Sequence, residues 1–212
     1  PSTGEDVLLL HGQPSWSYLY RSMMPVLADA GYRVIAMDHL GMGRSDKPID
    51  ITEYTYLGHG ARLESFIQQL GLSDINLFVQ DWGSLIGLRV AGLNPEWFGF
   101  QVFDPIVNPN EIEDLPFPFA HFPDQQELFY DGCDLLPGVG SVDFGSWANY
   151  AMKDTSFKAS EVVEALTWFD LDQDVEAAYD APFPHRAYMA GVRTLQSKIN
   201  EVGGVNADAW QV

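Results

Sequence analysis

Between Ile75 and Val79 an apolar run stops at Gln80-Asp81, and Gly83-Ser84 then opens a segment with helical spacing. A strand that gives way to a helix across a single acidic residue constrains the chain more than any other stretch. A parallel sheet that presents one side chain above its carboxyl edge is built from such a turn, with the N–H groups of the next helix beside it. This layout is that of a nucleophile elbow whose presented group is a carboxylate. The plainer alternative is that Asp81 caps a helix over Ser84–Asn94, a frequent role for Asp at that position.

The surrounding chain favours the first reading. Asp6-Val-Leu-Leu-Leu-His11-Gly12 reads as a buried parallel strand and a tight loop. Trp16 to Leu27 then has the pattern of an amphipathic helix, with Ser15 as its cap and Gly31 as its end. Tyr32–Met37 is the next strand and ends in the loop Asp38-His39-Leu-Gly41-Met-Gly43-Arg44-Ser45-Asp46-Lys47-Pro48. Its glycines have neither the spacing of a P-loop nor that of a dinucleotide fingerprint. A helix follows near Ala61–Leu70, then the strand leading to Asp81, then Phe100–Phe103. The alternation predicts an α/β fold with a parallel sheet and right-handed crossovers. The loops at His11–Pro14, Asp38–Asp46 and Asp81–Gly83 all fall at the carboxyl edge, where such sheets bind ligands.

After Asp104-Pro105 prolines, glycines and aromatics dominate, and helical patterns return at Trp147–Lys153, Ser160–Trp168 and Asp172–Tyr179. The expected organisation is a core over 1–105, a helical cap over 106–200 and a return towards the core over 201–212. With 46% hydrophobic residues the chain can bury one sizeable core, and a net charge of −19 argues against nucleic acid or an anionic membrane as partner and for a heavily solvated acidic surface. No apolar run reaches membrane-spanning length. The single cysteine, Cys133, is read as inert and suits a reducing, cytoplasmic compartment. The chain begins at Pro1 rather than Met, which leaves a preceding leader open.

Four motifs in order, His11-Gly-Gln-Pro-Ser-Trp-Ser-Tyr-Leu-Tyr-Arg21, Asp38 to Pro48, Val79-Gln-Asp-Trp-Gly83, and Tyr179-Asp-Ala-Pro-Phe-Pro184 with Ala190-Gly-Val-Arg193, resemble the haloalkane dehalogenases of the α/β-hydrolase fold. The likeness is to the branch whose second halide-binding tryptophan comes from the cap. It implies that Asp81 is the nucleophile, that the indoles of Trp82 and Trp168 hold the halide, and that the backbone N–H groups of Gln13 and Trp82 form an oxyanion hole. It implies a small halogenated hydrocarbon, a halide ion and water as partners, with no cofactor and no metal.

The chemistry suits these residue types. Displacing halide from saturated carbon needs an oxygen that is ionised at neutral pH, as a carboxylate is. The departing anion is best met by neutral donors, and indole N–H only donates. Taken alone, Trp168 reads more readily as a packing residue. Hydrolysis of the resulting ester requires a histidine and an orienting acid, which in the resembled family follow the cap. The five histidines here are His11, His39, His59, His121 and His185, none behind a late core strand. The chain is therefore expected to be an internal fragment that lacks the catalytic histidine and acid and does not turn over alone. Asp104, at the end of the strand after the elbow, is one residue before the place where some relatives carry the acid, and reads more readily as a cap at the start of the segment that follows. An epoxide hydrolase with the same elbow, and a non-catalytic halide- or hydrophobe-binding remnant, are the alternatives. The former resemblance expects His before the nucleophile, where this chain has Gln80.

Overall fold

The computed structural model describes residues 4–104, 151–165, 167 and 169–198. Four strands, β1 (Asp6–Leu10), β2 (Arg33–Met37), β3 (Ile75–Gln80) and β4 (Phe98–Asp104), form one parallel sheet in the order β2-β1-β3-β4. The chain steps from β1 to one side, then returns to place β3 on the other. Right-handed crossovers in opposite directions put the connecting helices on opposite faces.

The residues of β1 show the two faces directly. Leu8 and Leu10 point into the larger apolar cluster with Leu63, Ile67, Leu77, Val79, Ile86 and Val90. Val7 and Leu9 point the other way, onto Tyr20, Met23, Met24 and Leu27. Leu8, Leu9 and Leu10 are wholly buried, each stabilising the fold by about 1.5–3 kcal/mol relative to exposure. With helices on both faces a strand needs no polar side, which is why Leu-Leu-Leu is tolerated here.

The helix expected over 16–27 is broken. Ser17–Tyr20 is a short 3-10 turn, and α1 runs from Met23 to Asp29. Pro25 explains the break: within a continuous helix it would lack an N–H for the carbonyl of Arg21 and would clash with it, whereas in the first turn of a new helix neither matters. Ser15 does not cap; its hydroxyl donates to the carbonyl of Gly12 at 3.0 Å. Helix α2 spans Tyr56–Leu70, starting a turn before the expected Ala61. Thr55 accepts the N–H of Gly58, and Gly71 closes the helix at φ 61°. Helix α3 is Trp82–Leu93. In the later region α4 (Ala159–Ala165), α5 (Gln173–Asp180) and α6 (Ala190–Thr194) follow, with residues 151–153 also helical. The N–H and hydroxyl of Ser160 donate to Asp180 at 3.0 and 2.7 Å, tying α4 to α5.

Candidate active site

Asp81 sits between β3 and α3 with φ 50° and ψ −123°. This is a conformation that a side chain other than glycine's adopts only under strain. Its carbonyl starts the helix, accepting from Ser84 N–H at 2.8 Å, but its carboxylate makes no capping bond. The helix-cap reading therefore does not account for Asp81. The carboxylate instead faces the loop after β1.

Two glycines make that approach possible. A Cβ on Gly12 would collide with the side chain of Asp81, and one on Gly83 would collide with the carbonyl of Leu10. The β1 loop and the elbow are thus in contact through backbone, and N–H groups reach across. Gly12 N–H donates to Gln80 Oε1 at 3.2 Å, and Gln13 N–H donates to Asp81 Oδ1 at 2.7 Å. The latter is one of the two N–H groups expected to form the oxyanion hole. The other, of Trp82, is the first of α3 and has no acceptor within a helix. The positive end of the same helix favours an anion at Asp81.

The carbonyl of the Gly12–Gln13 peptide is held as well. His11 Nδ1 lies 2.8 Å from it and the Ser15 hydroxyl donates to it at 3.0 Å. The side-chain amide of Gln13, 6% exposed, donates to the carbonyl of Val192 on α6 at 2.7 Å. The same segment grips the later helices twice more. Trp16 Nε1 donates to Ala178 O at 3.2 Å, and the Arg21 guanidinium lies 4.5 Å from the ring centre of Tyr18 and 5.9 Å from that of Tyr179.

Trp82 is 1% exposed, with the ring of Tyr56 against it at 6.5 Å. The Tyr56 hydroxyl in turn donates to Leu85 O at 2.8 Å. Trp168, the other expected halide donor, lies outside the described residues, as do Cys133 and His121. Asp104 pairs in register with Gln80 at the end of β4. Its backbone thus stands one residue below the level of Asp81.

The glycine-punctuated loop after β2 folds around Asp38. Its carboxylate accepts from Ser17 N–H at 2.7 Å and Arg44 N–H at 2.8 Å, and Lys47 is turned onto the carbonyls of Gly43 and Ser45. A loop whose lysine holds its own carbonyls and whose carboxylate also ties it to Ser17 is a brace.

Sequence reasoning did not anticipate that His11, His39 and His59 pack ring against ring, the first pair tilted and the second edge-on. Their ring centres are 4.8 Å apart (His11–His39) and 5.8 Å apart (His39–His59), all three fully or almost fully buried. The signal was present in the register: Leu10 pairs with Met37, so His11 and His39 leave neighbouring strands at nearly the same height. Desolvation lowers the pKa of each, that of His59 to about 4 and that of His39 well below the ordinary imidazole value, with the neighbouring imidazoles adding to the effect on His39. His185 is exposed and accepts the N–H of Ala187. The ring nitrogens of His11 meet Gly12 O and the N–H of His39. Among the described residues no group of three or more His, Cys, Asp or Glu could hold a metal ion, and no helix is long and apolar enough to cross a membrane.

A model of the alpha/beta hydrolase fold matches residues 7–139. The haloalkane dehalogenase of Mycobacterium marinum is 40% identical over 195 residues, 92% of this chain and 57% of that enzyme. The haloalkane dehalogenase of Psychrobacter cryohalolentis is 39% identical over 193 residues, 91% of this chain and 55% of that enzyme. Among solved structures, the tetrameric haloalkane dehalogenase DpaA from Paraglaciecola agarilytica NO2 is similar with a TM-score of 0.72 at 30% identity, covering 94% of this chain and 58% of that one. The chain spans little more than half the length of the curated relatives it matches.

Proposed function

The chain belongs to the α/β-hydrolase fold family, and from that premise we propose that its site performs the hydrolytic dehalogenation of haloalkanes, with Asp81 as the nucleophile. The observation that carries the reading is a carboxylate, not a hydroxyl, at a strained elbow, braced at 2.7 Å by an N–H from the neighbouring loop. The names of the relatives agree with it.

In the proposed reaction one oxygen of Asp81 attacks the halogen-bearing carbon. The new C–O bond forms as the C–X bond breaks, and the halide leaves with the bonding pair. Trp82 and Trp168 are proposed to donate their indole N–H groups to it, lowering the barrier as charge develops. Water then adds at the carbonyl carbon of the Asp81 ester. The N–H groups of Gln13 and Trp82 are proposed to stabilise the oxyanion, and the alcohol departs, so that haloalkane and water give alcohol, halide and a proton. The water requires a general base to take its proton. Helices α4 to α6 are proposed to belong to a cap over 106–200 that closes an apolar cavity above the carboxylate.

The test is covalent. Incubation of the chain with 1,2-dibromoethane is expected to release bromide and to add mass to the peptide bearing Asp81. Asp81→Asn should lose both by roughly a thousandfold or more while staying folded. Undiminished bromide release from that variant would remove Asp81 from the chemistry.

A further inference from the structure

The Gly12–Gln13 peptide is gripped from three directions. Peptide planarity makes its carbonyl and its N–H point opposite ways. His11 and Ser15 hold the carbonyl, so the N–H is turned towards Asp81, which it meets at 2.7 Å. The side chain of Gln13 in turn ends in a buried 2.7 Å bond to Val192 O on α6.

Helix α6 does not need that bond to stay in place. Gly191 is so close to Gly41 and Tyr54 that a Cβ there would strike both, and Val192 and Leu195 are wholly buried. A seated helix with a bond to a loop side chain is an anchor for the loop. We propose that Gln13 is a positioning residue for the nucleophile: its amide, fastened to Val192, fixes the N–H that orients the Asp81 carboxylate, and so couples the packing of α6 to the reactivity of Asp81.

This rests on the reading of Asp81 as a nucleophile, and the experiment separates the two. Gln13→Met keeps length and bulk but cannot donate. Its rate constant for alkylation of Asp81 at saturating 1-bromobutane should fall roughly ten- to a hundredfold, the scale of a small misplacement of a reacting group, while the half-saturating concentration stays within about twofold if only orientation is lost. Independently of any haloalkane, the Asp81 carboxyl, followed by carbon NMR of labelled aspartate, should titrate at higher pH than in the unsubstituted chain, because a charge-assisted hydrogen bond weakens. Gln13→Glu serves if the first variant does not fold. A carboxyl donates to Val192 O only when protonated, so its alkylation rate relative to the unsubstituted chain at the same pH should recover as pH falls from 8 to 5. If Gln13→Met leaves both the rate constant and the Asp81 titration unchanged, or the Gln13→Glu ratio is flat with pH, the positioning role is overturned. If the unsubstituted chain never alkylates but the titration shifts, the haloalkane reading fails and the positioning role stands.

Discussion

The backbone N–H of His39 donates to Nε2 of His11 over 3.0 Å, so that Nε2 must carry a lone pair and Nδ1 the proton it gives to Gly12 O. His11 is thereby held neutral, although Asp38 Oδ1 lies 4.0 Å from the same nitrogen. Burial outweighs the attraction of that carboxylate.

Acid should therefore loosen the fold through its histidines. His39 and His59 titrate below their unfolded value, so the unfolded chain takes up protons first. Stability is full above about pH 6.5 and falls as pH drops towards the folded value, about 4 for His59, by about 1.4 kcal/mol per pH unit for each such group. The groups facing them, His11, Asp38, Tyr54 and Arg62, do not reverse the sign. His59→Phe should remove one such increment from the slope of urea-unfolding free energy between pH 6.5 and 4; an unchanged slope would show that His59 is not one of the groups responsible.

The contact between Gly12 and Asp81 predicts a split between two alanine variants. Gly83→Ala meets the backbone carbonyl of Leu10, which cannot yield cheaply. It should cost about 1–3 kcal/mol or more of stability. Gly12→Ala meets Asp81 at its Cβ as well as at its carboxylate, so it should cost stability and displace the nucleophile together. Comparison of melting temperature with Asp81 alkylation in both variants checks this: both should melt lower, and Gly12→Ala should lose alkylation as well.

Strain at Asp81 predicts a gain. A non-glycine residue in such a conformation costs about 1–3 kcal/mol, and glycine relieves it while losing about 0.5–1 kcal/mol to chain entropy. Asp81→Gly should thus be more stable than the unsubstituted chain by about 1 kcal/mol, and inert. Denaturant midpoints decide the point. A loss of stability would mean that the carboxylate's bond to Gln13 outweighs the strain.

Much of this was legible in the sequence for particular physical reasons. Asp81 was found because an apolar run, an acidic residue and a glycine in succession fit few backbones, and β1 because three consecutive leucines fit a strand covered on both faces. The first turn of α2 was hidden because Gly58 and Gly60 weaken helix propensity while the Thr55 cap supplies the start. The division at 16–27 was missed because one proline reads differently inside a helix and in its first turn. The bond from Gln13 to Val192 joins residues 179 apart. No local pattern announces it. The expectation for Trp168 falls outside the described residues, and that for Asp104 reaches only its place in the register.

The glycine just past the elbow carries a consequence for how such a site can change. Gly83 lets two backbones touch, against the carbonyls of Leu10 and His11, and nothing in that contact depends on the identity of side chain 81. A machinist would call the arrangement a tool holder. The bit can be exchanged, an oxygen of another kind set at the same height above the same N–H groups, without recutting the mount. Inherited variation at this one codon would then alter which bonds are attacked while the architecture stayed as it is, and a serine there would face the loop after β1 from the same backbone.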